Sequence, residues 1–146
     1  MPTLHAACVI LGEAGILIRG PSGSGKTSLA VLLATEADGA FVADDRVVCD
    51  RRGGALVARP HEALIGRVEI RGQGILSAAE LGLALRHEAD LCLVVDLIDE
   101  IPRLPEPPDD TEILEIRLPS IVLDRGVRST GLAQLLIRAA LRKRRS

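Results

Sequence analysis

A chain of 146 residues with 47% apolar content can enclose a core, yet Phe41 is its only aromatic residue, so that core must be built from Ala, Val, Leu and Ile. The formal net charge of −2 excludes a nucleic-acid binder that relies on a general basic field. The lack of Trp and Tyr nearly excludes stacking on bases.

In chain order, LHAACVIL (4–11) and ILIR (16–19) flank GEAG and predict a hairpin whose second strand feeds a glycine-rich loop. From Lys26 to about Ala37 the pattern becomes helical, and Gly39 stops it. AFVA (40–43) reads as a short buried strand ending at Asp44-Asp45, and RVVCD and ALVAR around RRGG predict a second hairpin that Pro60 closes. VEIRGQGIL (68–76) reads as one strand with glycine kinks. SAAELGLALRHEA (77–89) predicts a helix, with Ser77 as N-cap and Glu80 three residues on. LCLVVDLI (91–98) is a buried strand, and the Pro-rich acidic segment 99–112 a loop. ILEIRLP (113–119) is another strand, and Ser129 to Arg145 a final helix with basic residues toward its end. Strands alternating with helices around a glycine loop indicate an α/β fold over 1–146, and the hairpins indicate a mixed β-sheet with flanking helices.

Cys8, Cys49 and Cys92 are odd in number, lie far apart and show no CxxC spacing, so they read as free thiols in a reducing compartment. No basic segment precedes the apolar run of MPTLHAACVI, and no apolar stretch approaches ~20 residues. A soluble cytoplasmic protein with no membrane partner is expected.

Gly20, Pro21, Ser22, Gly23, Ser24, Gly25, Lys26 and Thr27 satisfy GxxxxGK[ST] in full. Glycines let backbone N–H groups approach phosphate oxygens, and the helix beginning near Lys26 points its positive end at the anion. Lys26 would reach the β- and γ-phosphates, and Thr27 would offer its hydroxyl to Mg²⁺. Lys26 and Lys143 are the only lysines among 18 cationic residues, so a chain that otherwise uses arginine keeps an ammonium group inside this loop.

Phosphoryl transfer also needs carboxylates, and two sets compete. Asp96 ends the run LCLVV in the manner of a Walker B aspartate, which suits a generic ATPase. Asp44-Asp45 end the strand after the first helix, which suits a kinase whose carboxylate accepts a proton from an attacking hydroxyl. The pattern alone leaves this choice open.

Four segments taken together resemble the catalytic domain of the HPr kinase/phosphorylase family: His5 in LHAACV, the loop GPSGSGKT, VADDRV around Asp44-Asp45, and VEIRGQGI from Val68 to Ile75. The last is close to that family's EIRGLGI signature. The resemblance implies a P-loop, phosphoenolpyruvate-carboxykinase-like fold, ATP and Mg²⁺ as cofactors, and an HPr-type phosphocarrier protein as partner. Asp44 would take the proton from the target serine, and return one when phosphate attacks phosphoserine. His5 would sit beside Asp44 and tune it. Glu69 would join Thr27 as a metal ligand, facing the site while Ile70 points to the core. Arg71, Gly72 and Gly74 would shape the loop between the substrates, and Arg103 in PRLP would stabilise charge on the transferring phosphoryl group. Asp96 is then a structural strand-end residue. A homo-oligomer, in the family a hexamer, is also implied.

Several positions depart from the family pattern. Pro21 stands where Glu is usual, Thr27 where Ser is usual, and Gln73 where an apolar residue is usual. The chain begins within the catalytic core, like short alphaproteobacterial forms. LDRGVRSTGL replaces a glycine–arginine–asparagine motif, with Arg125 and Arg128 as stand-ins, so kinase activity is expected more firmly than phosphorolysis. Two other classes remain: a P-loop kinase for a small metabolite, and a regulatory nucleotide-binding module without catalysis.

Overall fold

The computed structural model describes residues 2–100 and 110–145. Strands β1 (Thr3–Leu11) and β2 (Ala14–Arg19) form the first hairpin, and β2 runs through the glycine-rich loop into helix α1 (Lys26–Ala34). Then come β3 (Gly39–Ala43), β4 (Arg46–Arg52), β5 (Ala55–Pro60), β6 (Arg67–Ile70), β7 (Gly74–Ser77) and β8 (Ala89–Leu97). After the undescribed segment follow β9 (Asp110–Ile113), β10 (Ile116–Leu123), α2 (Arg125–Ser129) and α3 (Ala133–Arg145).

The expected mixed sheet is present. Among the described residues it has eight strands in the order β2-β1-β4-β5-β8-β10-β9, with β3 also on β1. β2 and β10 run parallel to β8, and the remaining pairs in this sheet are antiparallel. Because β2 pairs with β8 as well as with β1, the path β1-β4-β5-β8-β2 closes on itself. The closure explains why the central strands read as nearly continuous apolar runs, since both of their faces are covered. Ala7, Val9, Ile16, Ile18, Val95 and Leu97 point to one core beneath α1 and α3. Ala6, Cys8, Ile10, Leu17, Val47, Cys49 and Val94 point to a second core on the other face. Phe41 is fully buried in the first, where removing such a side chain from water is worth about 1.5–3 kcal/mol.

Several sequence expectations are corrected. α1 ends at Ala34, short of Ala37. Residues 68–76 are not one strand: β6 and β7 fold into a separate two-stranded hairpin, because Gly72 and Gly74 take φ of 84° and 89° and Gln73 N–H closes the turn on Ile70 O at 2.9 Å. Residues 77–89 form no helix. The expected capping box is made, with Glu80 N–H on Ser77 Oγ at 3.0 Å and Ser77 N–H on Glu80 Oε1 at 2.9 Å. It is followed at once by a stop. Gly82 adopts φ 72°, its N–H bonds Ala79 O, and Leu83 N–H bonds Ala78 O, the two bonds of a Schellman motif. The chain then turns back to pair with Phe41 through Ala84 O and Arg86 N–H.

Residues 113–119 span a hairpin, not a strand: Leu114 and Glu115 both hold positive φ between Ile113 and its partner Ile116. The loop expected over 99–112 is already strand from Asp110, and residues 101–109 lie outside the described residues. The last helix begins at Ala133, and Ser129 instead ends α2. Asp124 caps α2 on Val127 N–H at 2.8 Å, and Arg128 ties its end to Ile98 O and Leu123 O.

Candidate active site

Three pieces converge on one cleft of about 480 Å³, lined by His5, Ser22, Gly23, Gly25, Lys26, Thr27, Ser28, Asp44, Asp45, Glu69, Ile70 and Arg71. The first piece is the phosphate loop. Gly20 is wedged where any Cβ would lie 2.7 Å from Ser24 Oγ and 2.9 Å from Leu97 O, so the loop leaves β2 pressed against β8. Ser24 N–H closes it on Pro21 O at 3.1 Å. Lys26 is largely buried, its Nζ donating to Gly20 O at 2.7 Å and Pro21 O at 3.1 Å. Gly25 at the helix N-cap supplies no side-chain acceptor, so first-turn N–H groups of α1 stay open to an anion.

The second piece is a kink between β3 and β4. Both run antiparallel to β1, and one register carries from Cys8↔Ala43 to His5↔Arg46. Asp44 and Asp45 are the two residues between, opposite Ala6 and Ala7. Asp45 takes φ 69°, a conformation Asp tolerates better than most residues, and Ala6 N–H still reaches Asp45 O at 3.2 Å. This twist sends the two carboxylates to different partners. Asp44, only 5% exposed, accepts from Thr27 Oγ1 at 2.8 Å through Oδ1 and from Glu69 N–H at 3.1 Å through Oδ2. Asp45 is half exposed and lies 3.0 Å from His5 Nε2. The expectation that His5 sits on Asp44 is therefore corrected: its partner is Asp45.

The third piece is the β6–β7 hairpin. Val68 is fully buried beneath it, so alternation turns Glu69 outward, and Glu69 lines the cleft. Ile70 packs partly against the core, as expected.

Among the described residues no three acidic, His or Cys side chains converge as a closed metal site. The donors present fit Mg²⁺ differently: a hydroxyl and two carboxylates on one cleft beside a phosphate loop suit a hard cation that keeps water and phosphate among its ligands.

Asp96 is elsewhere. Val94, two residues before it, packs in the second core, on the face away from α1. Strand alternation puts Asp96 on that face too, where Arg19 grips it bidentately at 2.8 and 3.0 Å. This accords with a structural strand-end residue. Arg103 lies outside the described residues. Arg125 and Arg128 hold Asp99 and the carbonyls of Ile98 and Leu123, and neither lines the cleft. The sequence reading missed Ser28, whose only signal is its place after Thr27 in the first turn of α1, and the Arg19–Asp96 pair.

The family model described as HPr Serine kinase C-terminal domain matches residues 1–146. Proteins named HPr kinase/phosphorylase are similar: that of Chlorobium phaeobacteroides is 32% identical over 128 residues, covering 82% of this chain and 39% of the relative. That of Mycoplasma mycoides is 32% identical over 97 residues, 65% of this chain and 31% of the relative. The chain thus spans well under half the length of these two curated relatives. Among solved structures, the Hpr(Ser) kinase/phosphatase from Coxiella burnetii superposes with a TM-score of 0.80 at 25% identity, over 99% of this chain and 97% of that one.

Proposed function

The chain belongs to the HPr serine kinase C-terminal domain family, and from that premise we propose that it transfers the γ-phosphoryl group of ATP to a serine of an HPr-type phosphocarrier protein. The observation that carries the reading is the meeting of a complete phosphate loop with two differently partnered carboxylates in one cleft. The loop N–H groups and Lys26 bind and orient the phosphates. Thr27, Asp44 and Glu69 would hold Mg²⁺, which supplies charge neutralisation on the transferring group.

The acceptor proton goes to the exposed pair. Asp44 is buried and both of its oxygens are already engaged, one by the Thr27 hydroxyl and the other by the Glu69 N–H. Asp45 opens to the cleft with His5 at its side, so it can take the serine proton while His5 holds the carboxylate in position. We place the base at Asp45 rather than at Asp44, the residue the family resemblance implies. The same carboxyl, protonated, can return its proton when inorganic phosphate attacks phosphoserine, giving pyrophosphate. Arg103 keeps its proposed role on the phosphoryl group.

A cytoplasmic site of action goes with the free thiols. No described helix is long and apolar enough to cross a membrane. Leu132, Leu135 and Leu136 stay 41–65% exposed around the start of α3, which supports a homo-oligomer.

The test is incubation with Mg²⁺, radiolabelled ATP and an HPr-type carrier, followed by mapping of the label. Label on one carrier serine is the expected result. No label, with ATP binding measured and the carrier folded, would turn the reading toward a small-molecule kinase or a regulatory module.

A further inference from the structure

Arg19 and Asp96 face each other as Cα partners on parallel strands β2 and β8, one residue before the phosphate loop begins. Arg19 Nε and Nη2 donate to the two Asp96 oxygens at 2.8 and 3.0 Å, and Nη2 also reaches Thr111 Oγ1 on β9 at 3.4 Å. A two-pronged guanidinium–carboxylate contact fixes angle as well as distance. The residue after each partner is Gly20 or Leu97, and no side chain fits between them, since a Cβ on Gly20 would lie 2.9 Å from Leu97 O. Gly20 O is in turn the nearer anchor of Lys26 Nζ. The chain of contacts therefore runs Asp96, Arg19, Gly20, Lys26.

We infer that Arg19 and Asp96 are positioning residues for nucleotide binding, acting on the far face of the sheet by setting the β2–β8 spacing from which the phosphate loop departs. The inference rests on the nucleotide-binding reading of the cleft. Neither side chain lines that cleft, so the effect passes through Gly20 and Lys26. The pair is about one-third exposed, with side-chain exposures of 32% and 28%, and partly exposed ion pairs add little to global stability. Misplacing a binding group by about 1 Å, by contrast, costs heavily in a site that depends on orientation.

The experiment is calorimetric titration of ATP, with and without Mg²⁺, into the wild-type chain, Asp96→Asn, Arg19→Met and Arg19→Lys, with thermal midpoints measured alongside. The inference expects ATP affinity to fall about tenfold in Asp96→Asn and Arg19→Met, by the same factor with and without Mg²⁺, while midpoints move by only a few degrees. Arg19→Lys should not rescue, because an ammonium group lacks the planar fork. Unchanged affinity in Asp96→Asn and Arg19→Met would overturn it. A loss seen only with Mg²⁺ would overturn it too, making Asp96 a metal ligand. Wild-type chain that binds no ATP would instead remove the nucleotide-binding reading itself.

Discussion

At the scale of the residue, adjacent aspartates meet different partners because one backbone angle separates them. Asp44 follows β3 directly and is held by the Thr27 hydroxyl. Asp45 flips to positive φ and joins His5 on the solvent side. A carboxylate already held by Thr27 is placed to share a cation with it. Asp44→Asn keeps the shape but loses the charge, so the Mg²⁺ concentration needed for half-maximal ATP binding should rise about tenfold or more. Calorimetry at a series of Mg²⁺ concentrations measures this, and an unchanged Mg²⁺ requirement would remove Asp44 from the metal side. Lys26 also waits in position, parked on Gly20 O and Pro21 O rather than loose in solvent. On the proposed reading it would exchange carbonyl partners for phosphate oxygens and lose little side-chain freedom on binding.

At the scale of the element, the phosphate loop and the first two hairpins with their glycine turns were legible, and the later turns were not. β1, β2, β3, β4, β5 and β8 carry dense apolar runs bounded by polar or glycine pairs, and each lies within a few residues of its expected place. The turn at Leu114-Glu115 has no such signal. Two-residue hairpin turns with positive φ usually advertise themselves with Asn or Gly. Here the strong pairing of β9 and β10 imposes the conformation on Leu and Glu instead. The segment 77–89 misled for another reason. Its capping box is real, but a start signal says nothing about length, and Gly82 follows five residues after Ser77. Of the site, the loop and the outward face of Glu69 could be read from local pattern. The partner of His5 could not, because which carboxylate it meets depends on the twist at Asp45 and on the register of β4 against β1. The Arg19–Asp96 pair was hidden likewise, since it joins residues 77 positions apart through a parallel pairing that no local pattern reveals.

At the scale of the molecule, closure of the sheet seals Cys8 and Cys49 inside the second core. Burial pushes the Cys49 thiol up to about 11, and burial, then the neighbouring Cys49, pushes Cys8 well above its ordinary range. In the unfolded chain both thiols ionise near about pH 8.5. The folded state thus binds more protons than the unfolded state above that pH. The stability these thiols contribute is fully present below about pH 8.5 and is lost as pH rises toward 11. At pH 10 the loss should approach about 2 kcal/mol per protected thiol. Urea unfolding midpoints between pH 7.5 and 10 should therefore fall steeply, and Cys49→Ala should flatten the fall. With no tyrosine and only two lysines in the chain, few other groups titrate there. A flat profile would mean that the second core admits water.

On the proposed function, this cleft passes a phosphoryl group to a protein serine with Asp45 as the proton acceptor. Single-turnover transfer from ATP to the carrier serine, measured for Asp45→Asn with its ATP affinity in parallel, tests it most directly. The account predicts ATP binding within about threefold of wild type and a transfer rate reduced about 10²–10⁴-fold, the range for loss of a general base. Transfer at the wild-type rate in Asp45→Asn, together with its loss in Asp44→Asn at saturating Mg²⁺, would contradict it and return the proton to Asp44.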